Sequence, residues 1–134
     1  MKSNLLPELP FVKNKKHIYN KLSDNLITCV DIGWTVMELE LHSQLYCGES
    51  KVDGVTEFDI KKIKLEIYLT DLDARETIIH EIYHCMLETV GFHENNFDAS
   101  KMLLTNEQLV VALSKQTVLL KKLNPKLFSL IYHG

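Results

Sequence analysis

The sequence predicts an α+β domain in which a small sheet, antiparallel at least in part, packs against one long helix. Three observations lead there. Residues 71–91 form an amphipathic helical pattern with start and stop signals, the alternating stretch 60–69 runs directly into it, and two further helical stretches follow. With 134 residues, 46% hydrophobic content and few glycines and prolines, the chain suffices for one core, so we take 1–134 as a single domain with 1–25 as a partly helical lead-in.

In chain order, Pro7 and Pro10 are expected to keep residues 1–13 extended. Residues 14–22 can form a short helix with Asn14 as its cap and Ile18 and Leu22 turned inward, and Asp24 and Asn25 then make a turn. Residues 26–46 are rich in branched and aromatic side chains; the alternation slips phase at Met37, which predicts one bulged strand or two short ones. Residues 48–57 read as a polar loop. In the stretch 60–69, Ile63, Leu65, Ile67 and Leu69 alternate with Lys62, Lys64, Glu66 and Tyr68, so one face should pack on the long helix and the other meet solvent. Consecutive strands joined by a loop of this length most simply pair antiparallel.

The long helix can be capped by Thr70 or Asp71, carries acidic residues in its first turn and meets Gly91 as a stop. Leu72, Ile78, Ile79, Ile82, Met86 and Val90 should form its apolar stripe, with Asp73, Thr77, His80, Glu81, His84 and Glu88 on the far side. A polar loop containing His93, Glu94 and Asp98 follows. Thr105 to Gln108 match a capping box, opening a helix whose inward residues would be Leu109, Val110, Leu113, Val118, Leu120 and Leu123. Asn124 as cap and Pro125 in the first turn then start a short terminal helix.

A net charge of −3 and a pI of about 6.0 give no footing for a nucleic-acid surface. No apolar run reaches the ~18 residues of a membrane span, and the first residues do not resemble a signal peptide, so a cytoplasmic protein is expected. Three cysteines, Cys29, Cys47 and Cys85, without CxxC spacing, suit reduced thiols.

The chemistry is concentrated in His80-Glu81-Ile82-Tyr83-His84. In this HExxH pattern, imidazoles at i and i+4 project from one helical face toward one ion, at the ~2.0–2.1 Å of a zinc–imidazole bond. A catalytic zinc takes three protein ligands and leaves a position for water. Glu107, opening a later helix, is the first candidate for the third ligand, although a first-turn glutamate also has an ordinary role beside the helix dipole. His93 is the second candidate and Cys47 the third, while Glu88 is better placed to hydrogen-bond a ligand than to be one. Leu87 and Val90 stand where the extended HExxHxxGxxH pattern needs glycine and histidine, which excludes that subclass.

His80, Glu81 and His84 followed by Asn106-Glu107 on a later helix resemble the gluzincin branch of the zincin metallopeptidases. The size is similar to that of minimal single-domain gluzincins and small phage-borne zincin-like proteins, and the resemblance covers residues 30–125. It implies a zincin-like fold and one zinc ion held by His80, His84 and Glu107, with Ni²⁺ or Co²⁺ as other possible occupants. It also implies a peptide or protein substrate, with Glu81 as general base taking a proton from the attacking water and passing it to the leaving amine. An oxyanion partner could be Tyr83, His93, Tyr132 or His133. Where the thermolysin-like pattern has an aspartate four residues after the glutamate ligand, this chain has Val111. Two other readings stand beside peptidase: a zincin-fold interaction protein that keeps a metal without hydrolysis, and a small-amide amidase or deformylase. Cys47, in Tyr-Cys-Gly-Glu-Ser, does not match the glutamate-glycine-cysteine motif of deformylases.

Overall fold

A computed structural model of the chain describes residues 8–91 and 106–134. Two short helices come first, six strands follow in a row, and three helices close the described chain. The opening segment is not wholly extended, because Pro10 is the first residue of a one-turn helix, α1 (Pro10–Lys13), where a missing N–H costs nothing. Helix α2 (Ile18–Asp24) starts later than the sequence suggests. His17, not Asn14, is its cap, with Nδ1 accepting from the Tyr19 amide at 3.1 Å and Nε2 bonded to the Leu69 carbonyl at 2.9 Å. A wholly buried imidazole with both nitrogens engaged ties α2 to the segment just ahead of the long helix.

Of the two arrangements the phase slip allows, the structure has two short strands. They are β1 (Cys29–Asp31) and β2 (Val36–His42), antiparallel and joined by a turn in which Gly33 takes φ +97°. The stretch 48–57 is not a loop, and strands begin just ahead of it. These are the small hairpin β3 (Tyr46–Cys47) and β4 (Ser50–Lys51), then strand β5 (Gly54–Glu57), which turns back through Phe58–Lys61 into β6 (Lys62–Glu66). The main sheet has the order β1-β2-β6-β5.

This order corrects the expected antiparallel pairing of the two main strands. β5 and β6 pair antiparallel as a local hairpin, so β6 returns along β2 in the parallel sense, with Leu39 opposite Ile63 and Leu41 opposite Leu65. The four-residue β5, with a glycine in it, is too short to announce itself by alternation.

All helices lie on the face of the sheet that carries Met37, Ile63 and Leu65, each at most 1% exposed. Helix α3 (Asp71–Thr89) crosses that face, capped by Thr70, whose Oγ1 accepts from the Asp73 amide, and released after Val90 by Gly91 at φ +95°. Ala74, Ile78, Ile82, Cys85 and Met86 are its buried stripe. Leu72, assigned to that stripe by periodicity, is 65% exposed, whereas Thr77 and Glu81, assigned to the polar side, are buried because β5 lies against that flank.

Helix α4 (Asn106–Leu123) and helix α5 (Pro125–His133) close the core with Leu120, Leu127, Phe128 and Ile131. In α4 the inward residues are Leu109, Leu113 and Leu120, while Val110, Val118 and Leu123 face outward, against expectation. Asn124 precedes α5 but makes no side-chain cap. Its amide accepts from the Asp31 N–H at 2.8 Å and donates to the carbonyls of Asp31 and Leu120, fastening the α4–α5 corner to β1. Among the described residues no helix is long and apolar enough to cross a membrane. The expected capping residue Thr105 and the loop residues His93, Glu94 and Asp98 lie outside the described residues.

Candidate metal centre

The first turn of α3 is held from two directions. The Asp71 carboxylate accepts from the amide of Ile18, at the start of α2, at 2.7 Å, and from Arg75 Nε at 3.1 Å. Arg75 Nη1 in turn donates to the carbonyls of Leu130 and Ile131 at 2.8 Å each, placing a cation at the carboxyl end of α5. Thus an acidic residue that the sequence offers as a cap for α3 instead serves α2, and α3 is locked between α2 and α5.

Two turns along, His80 and His84 converge. Their Nε2 atoms lie 3.2 Å apart, with the rings at 70° to one another. Two ligands of a tetrahedral zinc, each ~2.0–2.1 Å from the ion, are separated by about 3.3 Å, so this spacing fits a shared metal. His80 is exposed and His84 half-buried. The pair therefore faces open space.

Glu81 lies between them in sequence but in a different environment. It is 3% exposed, its Oε1 accepts from Thr56 Oγ1 of β5 at 2.9 Å, and its Oε2 stands 3.9 Å from His80 Nε2. That separation exceeds the edge of a zinc tetrahedron, and the other oxygen is already engaged. Glu81 is therefore set back, able to serve a water beside the imidazoles.

β5 can approach so closely because residue 54 is glycine. A Cβ built there would sit 2.7 Å from Thr77 Cγ2, 3.1 Å from Glu81 Cγ and 3.2 Å from Glu81 Oε2. Thr56 and Gly54 are the functional positions that sequence reading missed. The available signal was a glycine inside a strand, which often marks close backbone approach, but that strand was itself read as a loop.

The ligand atoms of His80, Glu81 and His84 all lie within 4.8 Å of one another, and among the described residues they form the only such group of three or more. Glu107 is placed in the first turn of α4, exposed, and is not brought into this group. Cys47 is exposed at the end of β3, paired with Ser50, and is likewise outside it. His93 lies outside the described residues. Glu88 is half-buried, one turn beyond His84. Cys85 is wholly buried, and its thiol is pushed up to about 12 by burial, with Glu81 and Glu88 adding to the shift, so it stays neutral beside the site.

A cleft of about 420 Å³ opens at His80 and Glu81, with Lys51, Asp53 and Gly54 on its sheet side and Glu76 and Thr77 on its helix side. Of the oxyanion candidates, Tyr83 and Tyr132 both lie on the opposite flank of His80, and burial holds the Tyr132 hydroxyl above its ordinary range, with Tyr83 contributing. His133 is exposed at the end of α5. No family model, curated protein or solved structure matches this chain, so what the site can do is argued from its own geometry.

Proposed function

We propose that the protein is a zinc-dependent hydrolase, a small metallopeptidase of zincin-like fold that acts on peptide bonds. The observation that carries the reading is the convergence of two imidazole nitrogens at 3.2 Å beside a buried carboxylate whose second oxygen is fixed by Thr56. His80 and His84 would hold the ion through Nε2, which requires both rings to carry their proton on Nδ1. When bound, zinc supplies Lewis acidity and makes hydroxide available near neutral pH. Glu81 then takes the proton from the attacking water and returns it to the leaving nitrogen as the C–N bond breaks. β5 is the edge of the main sheet and lies over Glu81, so an extended substrate backbone added to it would run past the histidines.

Glu107 is our proposal for the third protein ligand; it requires the first turn of α4 to approach the histidine pair. A second reading has one observation in its favour. Because no other described side chain joins the cluster, the site could hold a metal in a protein that docks and does not hydrolyse.

The experiment is a peptide-library digest read by mass spectrometry, with wild type and Glu81→Gln compared. The peptidase reading expects chelator-sensitive cleavage by wild type, and zinc retained in the variant with hydrolysis reduced by roughly 10²-fold or more. Undiminished turnover in Glu81→Gln would refute the role given to Glu81, and no cleavage by zinc-loaded wild type would favour the docking protein.

A further inference from the structure

On the flank of His80 away from β5, a groove of about 530 Å³ runs between α3 and α5. Its walls are mostly apolar, with Leu72, Ile79 and Tyr83 on α3 and Ile131 and Tyr132 on α5, and Arg75 and Glu76 also border it. Leu72, Tyr83 and Tyr132 are 65%, 51% and 50% exposed, an unusual commitment of large apolar surface to solvent at one spot. The groove is built without a partner. The Ile131 carbonyl is held by Arg75, and the Tyr132 ring stacks on Phe128 at 15° with Lys121 Nζ over it at 5.2 Å.

His80 forms its inner end, and the same residue borders the polar cleft under β5. Eight residues line the groove, against the ~20–30 residues a side of a stable protein interface. It is too small for a folded surface and roomy enough for a large side chain. Its volume lies in the ~300–1,000 Å³ range of small-ligand clefts. An extended chain paired along β5 sends alternate side chains toward the helix layer, and one next to His80 would meet this groove.

We infer that the groove between α3 and α5 binds a large aliphatic or aromatic side chain of an extended peptide, adjacent to the bond that is cut. The inference rests on the peptidase reading, and its test separates the two. The zinc-loaded Glu81→Gln chain is titrated with fluorescein-labelled Gly/Ser octapeptides carrying Leu, Phe, Ser, Asp or Lys at one scanned position, and wild type digests the same set. Leu and Phe at one position should bind at least about tenfold more tightly than Ser, and wild type should cleave next to that position. Leu72→Glu and Tyr132→Ser should each bring the ratio toward one. Leu72→Glu is suited to folding, since the site is exposed and lies in a helical first turn where acid is favoured.

Equal or undetectable binding of all peptides overturns the inference, as does a preference that survives both variants. Cleavage without apolar preference overturns the groove and leaves the peptidase. Apolar preference without cleavage by wild type overturns the peptidase and keeps the groove as a side-chain site. A dimer in sedimentation equilibrium that Leu72→Glu dissociates would assign the groove to a second copy of the chain, and so overturn the inference.

Discussion

Gly54→Ala puts the contact between β5 and α3 under direct load. The new methyl would stand 2.7 Å from Thr77 Cγ2, well inside van der Waals contact. Thr77 cannot turn aside cheaply, since it is 8% exposed and its Oγ1 donates to the Asp73 carbonyl at 2.7 Å, fixing χ1. β5 is held in turn by its pairing of Gly54 with Leu65. Overpacking of this kind costs about 1–3 kcal/mol. At the usual unfolding entropy per residue this corresponds to about 4–11 °C in Tm for a chain of this length. Thr77→Ser removes the opposing methyl and keeps the hydroxyl, so the double variant should recover most of the loss, with a coupling of about 0.5–3 kcal/mol. Urea unfolding of wild type, the two single variants and the double variant reads all four corners. Gly54→Ala as stable as wild type, or a loss that Thr77→Ser does not relieve, would refute the reasoning.

Asn124→Ala should destabilise the fold by about 2–4 kcal/mol in the same urea assay, because it strands the Asp31 N–H and carbonyl that the amide satisfies, while the Leu120 carbonyl keeps the backbone N–H of residue 124; a loss below 0.5 kcal/mol would contradict that clamp. Tyr19 gives a pH prediction. Burial first, then Glu66 and Asp53, hold its hydroxyl above the ordinary 10.0, so its contribution is complete below that pH and is lost as pH rises past it. Its hydroxyl also donates to the Glu66 carbonyl at 2.8 Å. Stability measured from pH 8 to 11 should fall more steeply in wild type than in Tyr19→Phe, and parallel curves would contradict the assignment.

The long helix was legible because its cap, period and stop agree, and α3 spans Asp71–Thr89 much as those signals require. The strand ahead of it was legible in part: Ile63 and Leu65 are buried as alternation requires, but β6 spans Lys62–Glu66 and not 60–69, and Glu66, expected to meet solvent, is buried with its Oε2 accepting from the Leu45 amide. What the sequence concealed was non-local. Gly54 hints at close backbone approach only once its strand is known, four residues are too few to announce that strand by alternation, and without β5 the parallel pairing of β2 with β6 could not be foreseen. The same strand explains why the helix's buried arc is wider than its hydrophobic stripe, taking in Thr77 and Glu81. Leu72, apolar and in phase, lies outside the core at 65% exposed and lines the groove between α3 and α5. Pro10 was read as a barrier when it begins a helix. For the site, His80, Glu81 and His84 follow from spacing alone, whereas Thr56, the hydrogen-bond partner of Glu81, lies 25 residues away in the chain.

The central claim is that His80 and His84 hold a metal ion together. Elemental mass spectrometry of the purified full chain tests it, with wild type, His80→Ala, His84→Ala and Glu107→Ala prepared side by side. The account predicts about one zinc per chain in wild type and a large loss in either histidine variant, because a catalytic site has only three protein ligands. A parallel loss in Glu107→Ala would establish the third ligand. Wild type without metal, or zinc retained when either histidine is removed, would contradict the account.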